Sequence, residues 1–151
     1  MRAPLSRRPG RVHVATDLPL PAEQVAALFR KPALLQYVAW PLLVMPGLPP
    51  GFEVGRPVTV RLFAFGLVPL WPHRITVTGA GPGEAYTQER GGPLRRWHHH
   101  LWVIPLSPTS CRYADEVDLD AGRLTPVATV LATAFYRHRH RRWRALARVL
   151  S

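Results

Sequence analysis

A run of three histidines, His98-His99-His100, lies upstream of the pair Asp115-Glu116, and imidazole and carboxylate are side chains suited to proton exchange near neutral pH. Strand alternation separates these residues by face. Trp97, His99, Leu101 and Val103 share one side, and His98, His100, Trp102 and Ile104 share the other. In the next segment Tyr113, Asp115, Val117 and Leu119 stand together, opposite Arg112, Glu116, Asp118 and Asp120, so the more apolar set faces in. A hairpin closing around Ser107 sets His99 directly across from Asp115, and a register shift of two residues leaves them diagonal neighbours. Such a pair either orients a ligand hydroxyl or carbonyl and moves its proton, or it ties two strands together. His98 and His100 fall on the outer face and would need a third ligand to hold zinc. No HExxH motif or Cys pair supplies one, and neither a metal nor another cofactor is expected. Ser-His-Asp order and a Gly-rich phosphate loop are likewise missing, and Cys111 is the one cysteine.

The elements that must position these groups can be read in order along the 151 residues, enough for one domain with one core. Arg11–Asp17 alternates as a half-buried strand. Pro21 suits the start of a short helix through Val25, Leu28 and Phe29, and Pro32 starts a second through Leu34, Leu35 and Val38. The Pro-rich stretch Pro41–Pro50 follows, where Trp40, Leu42 and Leu43 either close a pocket mouth or pack a loop onto the sheet. Period-two segments then recur between Gly and Pro turn signals, predicting strands at about 57–65, 70–78, 84–90, 95–104 and 110–119. Their short connections make them antiparallel neighbours. Thr125 is placed to cap a helix with Pro126 at its first position, and no Pro or Gly interrupts the chain from there to Ser151. A curved sheet must cover its inner face, and only this terminal helix is long enough, so the space between helix and sheet is the candidate site.

Net charge is +11, yet it is unevenly spread: residues 1–11 carry four arginines and 137–148 carry six. Residues 1–10 are expected to form a flexible basic segment before a single domain over 11–151. The run around Arg137, Arg139, Arg141, Arg142 and Arg144 is either a solvated helix end or a docking site for an anionic membrane or nucleic acid. Prolines interrupt the longest apolar stretch, Val38–Phe52, and no apolar run follows the basic start. With no Cys pair either, a cytoplasmic location is expected.

The ordered pattern Val60, Leu62, Ala64, Gly66, Trp71 and Ile75, then Gly92-Pro93, Trp97-His98-His99, Asp115-Glu116-Val117, Gly122 and Phe135-Tyr136 resembles the SRPBCC superfamily of START-like, helix-grip proteins. The similarity spans about residues 11–148. It implies an α+β fold: a curved antiparallel sheet of six to seven strands, two short helices and a long C-terminal helix. It also turns His73, in phase with Trp71 and Ile75, inward. Superfamily members include lipid-transfer domains and polyketide cyclases, so the resemblance implies a cavity that binds or transports an apolar lipid, isoprenoid or polyketide-like molecule without obligatory catalysis. The sheet wall of that cavity is expected from Val60, Leu62, Ala64, Trp71, His73 and Ile75, continued by Glu89, Trp97, His99, Tyr113 and Asp115. Val127, Leu131 and Ala134 are expected to form the helix wall, with Trp40 at the mouth. A cyclase or dehydratase using His99 and Asp115 to move protons is the enzymatic alternative.

Overall fold

A computed structural model describes residues 10–151, so the expected basic segment lies, Gly10 apart, outside the described residues. The chain runs β1 (Arg11–Leu18), α1 (Ala22–Phe29), α2 (Pro32–Ala39), β2 (Leu43–Val44), β3 (Val58–Ala64), β4 (Val68–Gly81), β5 (Glu84–Gly91), β6 (Leu94–Ser107), β7 (Ser110–Asp120) and α3 (Thr125–Leu150). Seven strands form one antiparallel sheet in the order β1-β7-β6-β5-β4-β3-β2. The first strand therefore seats itself beside the last, while the intervening hairpins curl around α3. Register irregularities at Arg61/Phe63, Val77/Gly79 and Glu89/Gly91 fall in successive strand pairs, where extra residues bend strands and deepen the curl. This is the helix-grip architecture.

Two local expectations are corrected. Strand β6 does not stop before Pro105 but continues to Ser107, and the turn is Pro108-Thr109. Strand β5 begins at Glu84, opposite Trp102, so β6 beyond that point is an edge on one side, where a proline is tolerated. The register shifts with the turn: His99 pairs with Val117 and Leu101 with Asp115, leaving His99 and Asp115 diagonal on the inner face. At α3 the N-cap is Leu124, and Thr125 is already helical. Its Oγ1 accepts from the Ala121 N–H at 3.0 Å and donates to the Gly122 carbonyl at 2.7 Å, closing the turn before the helix.

Helix α3 buries Ala132, Tyr136, Arg139, His140, Trp143 and Ala147, a stripe at helical spacing. The expected wall residues lie on another stripe: Val127 and Leu131 are 58% and 66% exposed, and Ala134 is exposed too. Apolar side chains occur on both stripes, so hydrophobicity alone does not choose between them. What selects the buried one is the carboxylate of Asp115, which gives His140 and Arg139 a reason to be inside. Trp143 joins Leu18, Val25, Leu34, Val38 and Tyr113 in the core under α1 and α2. A second cluster holds Ala39, Met45, Val60, Leu62 and Ile75 under β3 and β4.

Candidate functional site

The inner face of the sheet carries polar residues in adjacent cross-strand rows. Glu89 lies opposite Trp97, Thr87 opposite His99, and Asp115 opposite Leu101. Asp115 is fully buried and organises its surroundings. His99 Nε2 lies 2.6 Å from its Oδ1, His140 Nε2 lies 2.8 Å from its Oδ2, and the Tyr113 hydroxyl donates to Oδ1 at 3.1 Å. Toward the β4 side the chain continues by charge proximity: His99 Nδ1 is 3.9 Å from Glu89 Oε2, beyond hydrogen-bond reach, and that oxygen accepts from the Thr87 hydroxyl at 2.6 Å. His73 Nε2 meets the other oxygen of Glu89 at 3.0 Å. Imidazoles and carboxylates thus alternate from His140 through Asp115, His99 and Glu89 to His73. Exposure is nil at Asp115, highest at Glu89, where 13% of the side chain is exposed, and lower again at His73.

Burial would raise the pKa of Asp115, but the Arg139 charge and the hydrogen bonds from His140 and His99 outweigh it and hold the carboxyl below its usual range. Glu89 behaves alike: burial pushes its pKa up, but His73, His99 and Thr87 outweigh that and bring it below its usual value. Both are carboxylates at neutral pH. Burial, reinforced by Asp115, keeps the Tyr113 phenol protonated. Burial likewise raises Tyr136. Burial disfavours the charge on Arg139, and Asp115 more than offsets this. It sits 4.8 Å from the centre of the Tyr136 ring.

Not every expected residue belongs to this site. Val60, Leu62 and Ile75 are core packing, and Ala64 is a partly exposed neighbour of β2. Trp40 is half exposed outside, with the Arg142 guanidinium 5.5 Å from its ring and its carbonyl 2.9 Å from His138 Nε2. Arg139 is buried and so is lost to any basic docking surface. Arg142 is bound to the Tyr37 carbonyl and Arg144 to Thr16. Around His99 the expected apolar space is filled by aromatic side chains: the Tyr136 ring is 5.3 Å away, and Trp97 stacks on Tyr136 at 6.1 Å. What remains partly open on the concave side is the neighbourhood of Trp71, Thr87, Glu89, Trp97 and Phe135. Sequence reasoning missed His140, Arg139, Tyr136 and Thr87; the helical spacing of the first three was the available signal.

Trp71 is seated by the Gly91-Gly92 hairpin. A Cβ on Gly91 would stand 2.5 Å from the Pro72 carbonyl and 2.6 Å from the Trp71 ring, so only glycine admits this approach. Gly91→Ala is expected to displace Trp71 and lower stability by about 1–3 kcal/mol, the range for overpacking. Chemical denaturation checks the loss, and an unchanged midpoint would show that the indole is not held there.

A family described as a domain of unknown function, DUF8410, matches residues 41–147, from the end of α2 into the last turns of α3. The chain belongs to this family. No curated protein matches this DUF8410 chain. Among solved structures it is similar to protein CV1439 from Chromobacterium violaceum, with 16% identity, a TM-score of 0.74, and coverage of 92% of this chain and 98% of that one. A START superfamily protein from Mycobacterium smegmatis has 17% identity and a TM-score of 0.68 over 93% of this chain and 99% of that chain. The Zhui aromatase/cyclase from Streptomyces sp. R1128 has 15% identity and a TM-score of 0.59 over 91% and 90%. These likenesses establish a START-like, SRPBCC helix-grip fold. No helix among the described residues is long and apolar enough to cross a membrane.

Proposed function

We propose that this protein binds a small molecule with an apolar body and one hydrogen-bonding end on the concave face beside β4, β5 and β6. The observation that carries this reading is the carboxylate–imidazole chain that is anchored at buried Asp115 and reaches the partly exposed Glu89 among partly exposed aromatic side chains. Trp71, Trp97 and Phe135 supply contact area for a flat or aliphatic body. Ionised Glu89 offers lone pairs to a ligand hydroxyl, with His73 Nε2 holding its other oxygen in place at 3.0 Å. The START-like fold supports ligand binding as the general mode, with the ligand a lipid, isoprenoid or polyketide-like compound.

Native mass spectrometry of the protein purified without denaturation tests this reading. The expected result is an added mass from a co-purifying apolar compound, depleted at least tenfold in Glu89→Ala and in Trp97→Ala. Equal retention by both variants would overturn the reading.

A second reading, proton transfer on a bound polyketide-like compound, is favoured by the position of His99. Its two ring nitrogens face Asp115 and Glu89. A proton taken from ligand at the Glu89 end then has His99 as its relay and Asp115 as the buried counter-charge. In that case His99→Ala abolishes turnover of a poly-β-ketone while retaining its binding; unchanged turnover eliminates the reading.

A further inference from the structure

The convex face of the sheet bears a feature that the concave site does not use. Arg74 on β4 pairs directly with Arg90 on β5, and Arg96 follows on β6, one residue before the Glu89 partner Trp97. Like charges set opposite one another across strands repel, so such a row is unfavourable unless something of opposite sign completes it. The protein supplies little. Arg96 reaches Asp118 at 3.3 Å, with both side chains nearly half exposed, while Arg74, Arg90 and Arg95 make no ion pair among the described residues. Residues 1–9 contain no Asp or Glu that could serve. The nearby Asp120 is occupied in part by the Gly122 N–H at 2.8 Å. Arg96 Nε, moreover, is buried with no partner among the described residues.

These arginines line a depression of about 320 Å³, together with Thr76, Gln88, His98 and one carboxylate residue, Glu89, whose oxygens are engaged by His73 and Thr87. At about 30 Å³ of liquid per water, that is room for roughly ten waters. Its outward side chains are rich in donors: guanidinium, hydroxyl, amide and imidazole. Guanidinium forks match phosphate oxygens two at a time, and four arginines against the single carboxylate of Glu89 leave the wall positive. We propose that this depression binds a phosphate-bearing anion, held by Arg74, Arg90 and Arg96 with Gln88 and His98 completing its hydrogen bonds. The depression shares only Glu89 with the concave site, and the variants that test it alter neither Glu89 nor Trp97, so failure of either proposal leaves the other standing.

Thermal melting with sodium pyrophosphate as the probe, against sodium chloride at matched ionic strength, is the test. Pyrophosphate is expected to raise Tm saturably in the wild type, because a ligand that binds only the native state stabilises it. The double variant Arg74→Gln/Arg90→Gln should need at least tenfold more pyrophosphate for half the effect. Without pyrophosphate it should melt no lower than wild type, since it loses a repulsive contact. Arg137→Gln/Arg141→Gln, which removes two exposed charges from α3, should respond as wild type does. An equal rise with chloride, or an equal loss of response in both double variants, would reduce the effect to general screening and overturn the proposal. Sedimentation with phosphatidylcholine vesicles doped with phosphatidic acid separates the sources. Binding that pyrophosphate competes off assigns the site to a lipid headgroup, and no sedimentation alongside a pyrophosphate response assigns it to a soluble phosphate compound.

Discussion

Asp115→Asn is expected to cost about 3–5 kcal/mol of folding stability, the range for removing one partner of a buried charge pair. The amide keeps the shape of the carboxylate but not its charge, and three things depend on that charge. Arg139 is buried with Asp115 as the main group sustaining its guanidinium, and His99 and His140 both point a ring nitrogen at the carboxylate oxygens. The loss is a large part of the roughly 5–15 kcal/mol by which domains are stable. It also carries a pH signature. A carboxyl whose native pKa is depressed contributes stability that is fully present above its unfolded value, near 3.9, and is lost as pH falls below it toward the native value. The wild type should therefore lose stability in acid more steeply than the variant, by up to about 1.4 kcal/mol per pH unit for this one group. Urea unfolding at a series of pH values checks both points. A loss under about 1 kcal/mol at neutral pH, with parallel acid limbs, would mean that Asp115 does not organise the interior.

Trp143→Ala is expected to be comparably damaging, at about 3–5 kcal/mol, because it empties the largest fully buried side-chain volume in the protein. Trp143 fastens the C-terminal half of α3 to the core formed by β7, α1 and α2, with its ring 5.0 Å from Tyr113. Tyr113 in turn donates to Asp115, so the cavity would loosen the polar chain as well as the helix. The indole N–H is buried without a partner among the described residues, and an unpaired buried donor is itself costly. Trp143→Phe, which removes that donor and keeps most of the volume, is thus expected to lose far less, under about 1.5 kcal/mol. Denaturant midpoints for the two variants test the pair; equal losses would show that ring volume is not what matters.

The fold was legible because period-two alternation and hairpin punctuation survive wherever a sheet is wet on one face, as this one is. The same alternation put His99 and Asp115 on the inner face and His98 and His100 on the outer, where His100 in fact stacks between Tyr86 and Trp102. Register was less legible. Pro105 read as a turn because a proline inside a strand is rare, and only knowing where β5 begins reveals that β6 has a free edge there. The rotation of α3 was not legible either. Arg139, His140 and Trp143 sit in a basic run that reads as solvated, and their burial depends on a carboxylate contributed from β7, a long-range contact invisible to local pattern. The stripe of Val127, Leu131 and Ala134 was the natural apolar choice, yet those side chains are left toward solvent. Where hydrophobicity and charge pairing compete for one helix, pairing with a buried anion decided the outcome.

The chain's five tryptophans are distributed so that a single spectrum reads out where a ligand goes: Trp71 and Trp97 border the concave site, Trp102 lies on the convex face, Trp40 beside α3, and Trp143 in the core. The most direct measurement is a nitrogen–proton correlation spectrum of the indole groups during titration with 2-naphthol, a flat apolar probe bearing one hydroxyl. Binding on the concave face should give saturable shifts at Trp71 and Trp97, abolished in Glu89→Ala, with the Trp40 and Trp102 signals unmoved. Shifts confined to Trp40 or Trp102, or shifts at Trp71 and Trp97 that persist unchanged without the Glu89 carboxylate, would contradict it.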